Sequence, residues 1–207
     1  MDERKTFLLE IYKQMFSDIN RHLTVIWQSV SVVVGAFALL ALSEKGIVPV
    51  DVAISIIVLL CGWLYAHMLD AGYWYNRNLV IIANIERQFL HTSDLKEIHY
   101  YWGGHRSSKN KMITHIRIQS YLGISLAVLS LLFHIFTRVW PGISEPFSNF
   151  NPIRALPYMS AVGAFMYCAF LSKNRDKAYA NFVRNSPGKP VDTTGIEYGV
   201  GHQIDTK

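Results

Sequence analysis

The sequence contains four long apolar runs, each close to the length that a helix needs to cross a membrane. The first, residues 23–42, reads LTVIWQSVSVVVGAFALLAL and has no charged residue. Twenty helical residues extend about 30 Å, which is the thickness of the hydrocarbon core of a bilayer. Similar runs cover residues 52–69, 119–137 and 155–171. We therefore predict an all-α, polytopic membrane protein with four transmembrane helices.

The first run could instead be the core of a cleaved signal peptide. It is longer than the roughly 7–15 apolar residues of such a core, and mostly polar and charged residues precede it. We therefore expect residues 1–22 to be retained. Their apolar positions Phe7, Ile11, Met15 and Ile19 recur at helical spacing, which predicts an amphipathic helix that leads into the first span.

The distribution of Lys and Arg predicts the orientation of the spans. Seventeen of the twenty lie before residue 23, between residues 70 and 118, or after residue 171. Positive residues accumulate on the cytoplasmic side of membrane proteins, so we expect both termini to be cytoplasmic in a bacterial inner membrane. The same rule explains the net charge of +5, and we expect membrane lipids rather than nucleic acid as partners.

The remaining segments complete the predicted organisation. The spans form two transmembrane hairpins, residues 23–70 and 119–171, which are separated by a cytoplasmic helical region over residues 71–118. Residues 172–185 can extend the fourth span as a helix, because the first strong break is the Ser-Pro-Gly at 186–188. Residues 186–207 are rich in glycine and polar residues and predict a flexible tail.

The second span is expected to continue past the membrane as a helical stalk over residues 70–91, which contain no proline. Leu79, Ile82, Ile85 and Phe89 form one apolar stripe on it, at spacings of three and four. This stripe can pack on the N-terminal helix, on the stalk of another subunit or on the end of the fourth span. Small residues in the spans favour a tight bundle or a homo-oligomer: Gly35, Ala38, Ala161, Gly163 and Ala164.

A first candidate site is HYYWGGH, residues 99–105, followed by basic residues. Its two histidines lack a nearby carboxylate or cysteine at metal-ligand spacing, so we expect no metal there. The glycine pair could expose backbone amides to an anionic lipid headgroup or a nucleotide. The alternative is an aromatic turn that lies on the bilayer surface. The residues that would form the binding site are His99, Trp102, His105, Arg106, Lys109 and Lys111.

A second candidate site is a polar vestibule at the cytoplasmic mouth of the spans. His67, Asp70 and Tyr73 lie three residues apart on one face of the second span, and Gln28 lies in the cytoplasmic half of the first. Polar residues in a span are costly and usually serve a function. The alternative is that His67 and Asp70 only mark the membrane interface, as His134 would at the opposite face.

The sequence offers no catalytic set. Paired carboxylates, a histidine box or an activated nucleophile are missing at helical spacing, so we expect no enzyme, no catalytic residue and no cofactor. Cys61 and Cys168 both lie inside predicted spans. We interpret them as buried thiols rather than a disulfide.

Two stretches carry a family resemblance. FLLEIYKQMFSDINRH in the N-terminal helix and YWYNRNLVIIANIERQFL in the stalk, with a pair of spans between them, resemble the SLATT domain over about residues 6–91. The resemblance implies a small prokaryotic membrane effector in bacterial antiviral defence, which disturbs the membrane when a cytoplasmic partner signals. This chain differs from that pattern by its second pair of spans.

We therefore predict an oligomeric inner-membrane effector or sensor that couples a cytoplasmic signal or protein partner to membrane permeability. The alternative is a membrane protein that binds an anionic headgroup or a nucleotide at its basic cytoplasmic segment, including an enzyme that acts at the membrane surface.

Overall fold

The structure is a computed structural model that describes residues 3–28, 30–91, 94, 109–144, 146, 149 and 151–187. These residues are helical and contain no strand, which confirms the predicted all-α class. The five long helices are α1 (Glu3–Gln28), α2 (Ser31–Glu44), α3 (Val50–Phe89), α4 (Thr114–His134) and α5 (Leu156–Asn185). A π-helical turn (Ile135–Val139) and a short helical turn (Trp140–Gly142) continue α4, and a 3₁₀ turn (Pro152–Ala155) precedes α5.

Three helical segments are long and apolar enough to cross a membrane: Val50–Phe89, Thr114–Gly142 and Pro152–Asn185. They contain the runs predicted as spans at residues 52–69, 119–137 and 155–171. The absence of proline between residues 50 and 89 explains why α3 continues as one helix of 40 residues, about 60 Å long. The predicted helical continuation of the second span is therefore present in α3.

The first apolar run, residues 23–42, is not one continuous helix. Its residues are divided between α1, which ends at Gln28, and α2, which has only 14 residues and is too short to span a bilayer alone. At the division the amide of Val30 donates to the carbonyl of Trp27, a three-residue turn contact of 3.1 Å. The sequence there, VSVVV, is rich in β-branched residues, which weaken a helix while keeping the run apolar. An apolar run measures hydrophobic length and does not guarantee one continuous helix.

Helix α3 is the centre of the fold and contacts each of the other four helices. Half of the residues in the most apolar 18-residue stretch of α3 are buried inside the protein. The corresponding shares are 17% for the segment that contains α4 and 11% for the segment that contains α5. The exposed faces of α4 and α5 are nevertheless apolar, with Phe133, Phe136, Phe165 and Phe170 among the exposed side chains. Apolar surface of this extent is the pattern of helices that face lipid.

The apolar stripe at the far end of α3 is covered by the chain itself. Leu79, Ile82 and Ile85 are buried and Phe89 is half-buried. Ile19 of α1 packs in the same cluster as Leu79 and Ile82. The N-terminal helix, one of the three partners considered for this stripe, therefore packs against Leu79 and Ile82.

Helices α3 and α5 approach each other closely at a glycine. A Cβ atom added to Gly62 would lie 2.7 Å from Cβ of Ala164. The two helices can cross this closely because glycine has no side chain. The predicted small-residue contacts are thus present in part, since Ala161 also packs against α3. No heavy atom of the described residues lies within 4 Å of a Cβ built on Gly35 or Gly163.

Candidate functional site

The first candidate site lies mostly outside the described residues: His99, Trp102, His105 and Arg106 belong to the stretch 95–108, of which nothing is described. Lys109 and Lys111 are described and exposed. The segment that carries them is fixed to α3 by Asn76, whose Nδ2 donates to Oδ1 of Asn110 at 2.9 Å and to the carbonyl of Lys111 at 2.8 Å. The chain therefore returns to the bundle at a defined point before α4 begins.

The predicted vestibule residues border a groove between α3 and α5. The groove has a volume of about 470 Å³, and both His67 and Asp70 line it. Oδ1 of Asp70 lies 2.5 Å from Nη2 of Arg175 on α5, and the guanidinium of Arg175 lies 4.9 Å from the ring centre of Tyr73. Asp70 and Tyr73 thus contact one arginine that was not among the predicted site residues, and His67 lines the same groove. Gln28 is the last residue of α1, and its side chain is not described.

The walls of this groove, which we call the α3/α5 groove, change character along its length. Asp70 and Arg175 stand at one end, each with about a third of its side chain exposed (34% and 32%). His67 stacks in parallel on Trp63, with ring centres 5.5 Å apart. Beyond them the lining is small or apolar: Leu59, Gly62, Ala66, Gly163, Ala164 and Tyr167. A polar end therefore leads into an apolar channel.

A second polar cluster lies at the opposite end of α3. Asp51, in the first turn of α3, and His134, at the end of α4, are both buried. Oδ1 of Asp51 lies 2.8 Å from Nε2 of His134, and Oδ2 lies 3.1 Å from Nη2 of Arg138. On the other side of the imidazole, Nδ1 lies 2.9 Å from the hydroxyl of Tyr158 on α5. We call these four residues the helix-end network, because it joins the ends of three helices.

Local structure explains how the helix-end network forms. The carboxylate of Asp51 is stabilised in the first turn of α3, because its negative charge complements the helix dipole. The π-helical turn after His134 brings Arg138 to the same carboxylate as the imidazole. The sequence alone predicts His134 to be an interfacial residue and does not single out Asp51. The signal that could have revealed the network is that Arg138 is one of only three basic residues on the predicted outer side.

The helix-end network has a defined chemistry. The carboxylate of Asp51 can only accept, so Nε2 of His134 is the donor in their contact. Nδ1 of His134 lies within hydrogen-bonding distance of the hydroxyl of Tyr158. The network therefore joins three helices through hydrogen bonds and an ion pair.

A larger groove, of about 820 Å³, lies among α1, α3 and α5 at the C-terminal end of α3. Arg4 and Leu8 line it from α1, and Asn181 and Phe182 line it from α5. Beside it Arg77 lies between two aromatic rings, 5.1 Å from the centre of Trp74 and 5.3 Å from that of Phe182. The N-terminal and C-terminal helices therefore meet on this end of α3.

His22 of α1 lies outside the candidate spans and has a shifted pKa. Burial lowers the pKa of His22 from its ordinary value, and the charge of Arg21 lowers it further. Asp18 and Asp70 act in the opposite direction but do not outweigh burial. The influence of Asp70 connects α1 electrostatically to the α3/α5 groove.

These features define an all-helical protein with three candidate membrane spans, a buried ionic network at one end of its central helix and two grooves toward the other. Among the described residues, no group of three His, Cys, Asp or Glu side chains could hold a metal ion. Comparisons of the chain with models of known protein families, with curated proteins and with solved structures find no match.

Proposed function

We propose that this chain is a non-enzymatic effector or sensor of a bacterial inner membrane, which oligomerises and couples a cytoplasmic signal or partner to membrane permeability. The observation that carries the proposal is the continuity of α3. One helix of 40 residues links the helix-end network at Asp51 to the end where α1 packs on Leu79 and Ile82. A force on α1 can therefore reach the opposite end through a single rigid element.

The proposed topology has four crossings, with both termini and the stalk in the cytoplasm. The last turns of α1 together with α2 would make the first crossing, because the 14 residues of α2 are too few to cross alone. The distribution of Lys and Arg supports this orientation. The division between α1 and α2 would then lie inside the first crossing, where a broken helix is tolerated if it is covered by protein or lines a cavity.

The proposed role in antiviral defence is supported by the resemblance of residues 6–91 to the SLATT domain. Its direct test is phage challenge of bacteria that express the full chain. Protection should disappear in Gly62→Leu, which would force α3 from α5, and persist in the matched variant Gly35→Leu.

The permeability function is tested by measuring the mass of the protein in lipid nanodiscs and ion leakage from liposomes that contain it. A defined oligomer with leakage is the expected result. A sealed monomer would contradict the proposal. An oligomer in liposomes that do not leak would contradict a constitutive pore. Gating by a partner would then be tested by adding bacterial cytosol to the same liposomes.

A second candidate function is binding of an anionic headgroup or a nucleotide at the basic cytoplasmic segment. It is favoured by the contacts of Asn76, which hold Asn110 and Lys111 at a fixed place beside α3. Replacing Arg106, Lys109 and Lys111 together with Gln should then abolish binding to liposomes of anionic lipid or to nucleotide. Unchanged binding would exclude this function.

A further inference from the structure

We propose that the α3/α5 groove binds one phospholipid with a zwitterionic, primary-amine headgroup, whose phosphate is held by Arg175, whose ammonium is held by Asp70 and whose acyl chain follows the groove. The inference rests on the proposed insertion of α3 and α5 in the membrane. It does not depend on oligomerisation or leakage.

The position of the charged pair matches the headgroup level of a bilayer. Asp70 ends the uncharged run of α3, and Arg175 lies at the same level because the two side chains are in contact. Leu59 lies eleven residues before Asp70, about 16 Å along the helix, which is roughly half of a hydrocarbon core about 30 Å thick. The groove therefore extends from the interface through one leaflet, as an acyl chain does.

The lining of the groove fits such a chain. Gly62 lets the two helices approach, while the Cβ position of Gly163 is open toward described atoms to at least 4 Å. Trp63 and Tyr167, which are 55% and 59% exposed, stand as aromatic walls along the apolar part. The charged side chains that line the groove, Asp70 and Arg175, both lie at one end of it.

The charges select the headgroup. Arg175 can donate to phosphate oxygens in the planar geometry that guanidinium groups favour. Asp70 beside it would repel a second negative group but accepts hydrogen bonds from a primary ammonium. A headgroup with a phosphate and a primary amine thus complements both members of the pair. A purely anionic headgroup would offer the carboxylate of Asp70 no cationic group. A quaternary ammonium lacks the N–H donors that Asp70 would accept.

The experiment uses the full chain in detergent with equimolar phosphatidylethanolamine, phosphatidylglycerol and phosphatidylcholine of identical acyl chains, and counts retained lipids by native mass spectrometry. We expect one retained phosphatidylethanolamine, preferred about tenfold over the other two, as a charge-assisted hydrogen bond would give. Arg175→Gln and Asp70→Asn should each remove the preference. Equal retention of phosphatidylglycerol would overturn the headgroup assignment.

The groove itself is tested by Gly163→Leu, which places a side chain in the channel, with Gly35→Leu as the matched control outside it. Circular dichroism of both variants checks that the helices form. Loss of the lipid only in Gly163→Leu is the expected result. Retention in both variants would overturn the proposal, and so would a change in protein mass in Gly163→Leu, because the groove would then hold a second copy. Failure of the chain to remain in carbonate-washed membranes would instead refute the membrane insertion.

Discussion

Nε2 of His134 lies 2.8 Å from Oδ1 of Asp51, although 83 positions separate these residues in the sequence. The contact joins the last residue of α4 to the first turn of α3, and Tyr158 extends it to α5. Three of the helices that make up the bundle are therefore tied at one end by a single carboxylate and a single imidazole.

Asp51→Asn should destabilise the protein. The substitution keeps the shape of the side chain but removes the charge that balances Arg138 and orients His134. Loss of hydrogen bonds to a buried charged group costs about 1–3 kcal/mol, so the midpoint of thermal unfolding in detergent should fall. Glu10→Gln is the control, because its partner Lys13 is exposed and such pairs contribute little. An Asp51→Asn protein as stable as the control would show that the network does not hold the helices.

Gly62→Ala should also lower the unfolding midpoint, since its new methyl group would lie 2.7 Å from Cβ of Ala164 and the helices would have to separate. Overpacking of this kind costs about 1–3 kcal/mol. The same substitution at Gly35 meets no described atom within 4 Å and should be neutral or slightly stabilising, because alanine favours a helix. Equal midpoints for the two variants would contradict the close contact of α3 with α5.

Parts of this fold were predictable and parts were not. The length of α3 follows from a stretch without proline, and the burial of Leu79 and Ile82 follows from their helical spacing. The division of the first run between α1 and α2 could not be predicted from hydropathy, which reports apolar content alone. The pairing of Asp70 with Arg175 was missed because ion-pair partners depend on which helix faces are in contact, and a single sequence does not contain that information.

Asn76→Leu should release the segment that precedes α4. The leucine side chain also branches at Cγ but cannot donate to Asn110 or to the carbonyl of Lys111. Cleavage by trypsin after Lys109 and Lys111 should become faster by severalfold, because proteolysis follows local opening. Asn185→Leu is the matched control, since that side chain donates within its own helix, to Asn181. Unchanged cleavage in Asn76→Leu would refute the anchoring.

The stability of the α1 contact should depend on pH through His22. Its lowered pKa means that the folded state binds the proton more weakly than the unfolded state. The stabilisation that neutral His22 permits is therefore complete above its ordinary pKa of about 6.5 and decreases as the pH falls through that value toward the folded pKa. After correction for the intrinsic pH dependence of hydrogen exchange, the amides of α1 should be less protected at about pH 5.5 than at about pH 7.5. His22→Gln should remove most of this difference, and greater protection of α1 at the lower pH would contradict the sign.

The central claim is that α3 crosses the membrane and carries its two ends to opposite sides. Single cysteines at Ile47, in the link before α3, and at Gln88, in its last turn, test it in a Cys61→Ala, Cys168→Ala background. Both positions are exposed. In intact spheroplasts, a membrane-impermeant maleimide should label Ile47→Cys at once and label Gln88→Cys only after the membrane is opened. Labelling of both cysteines in intact spheroplasts, or of Gln88→Cys alone, would contradict the account.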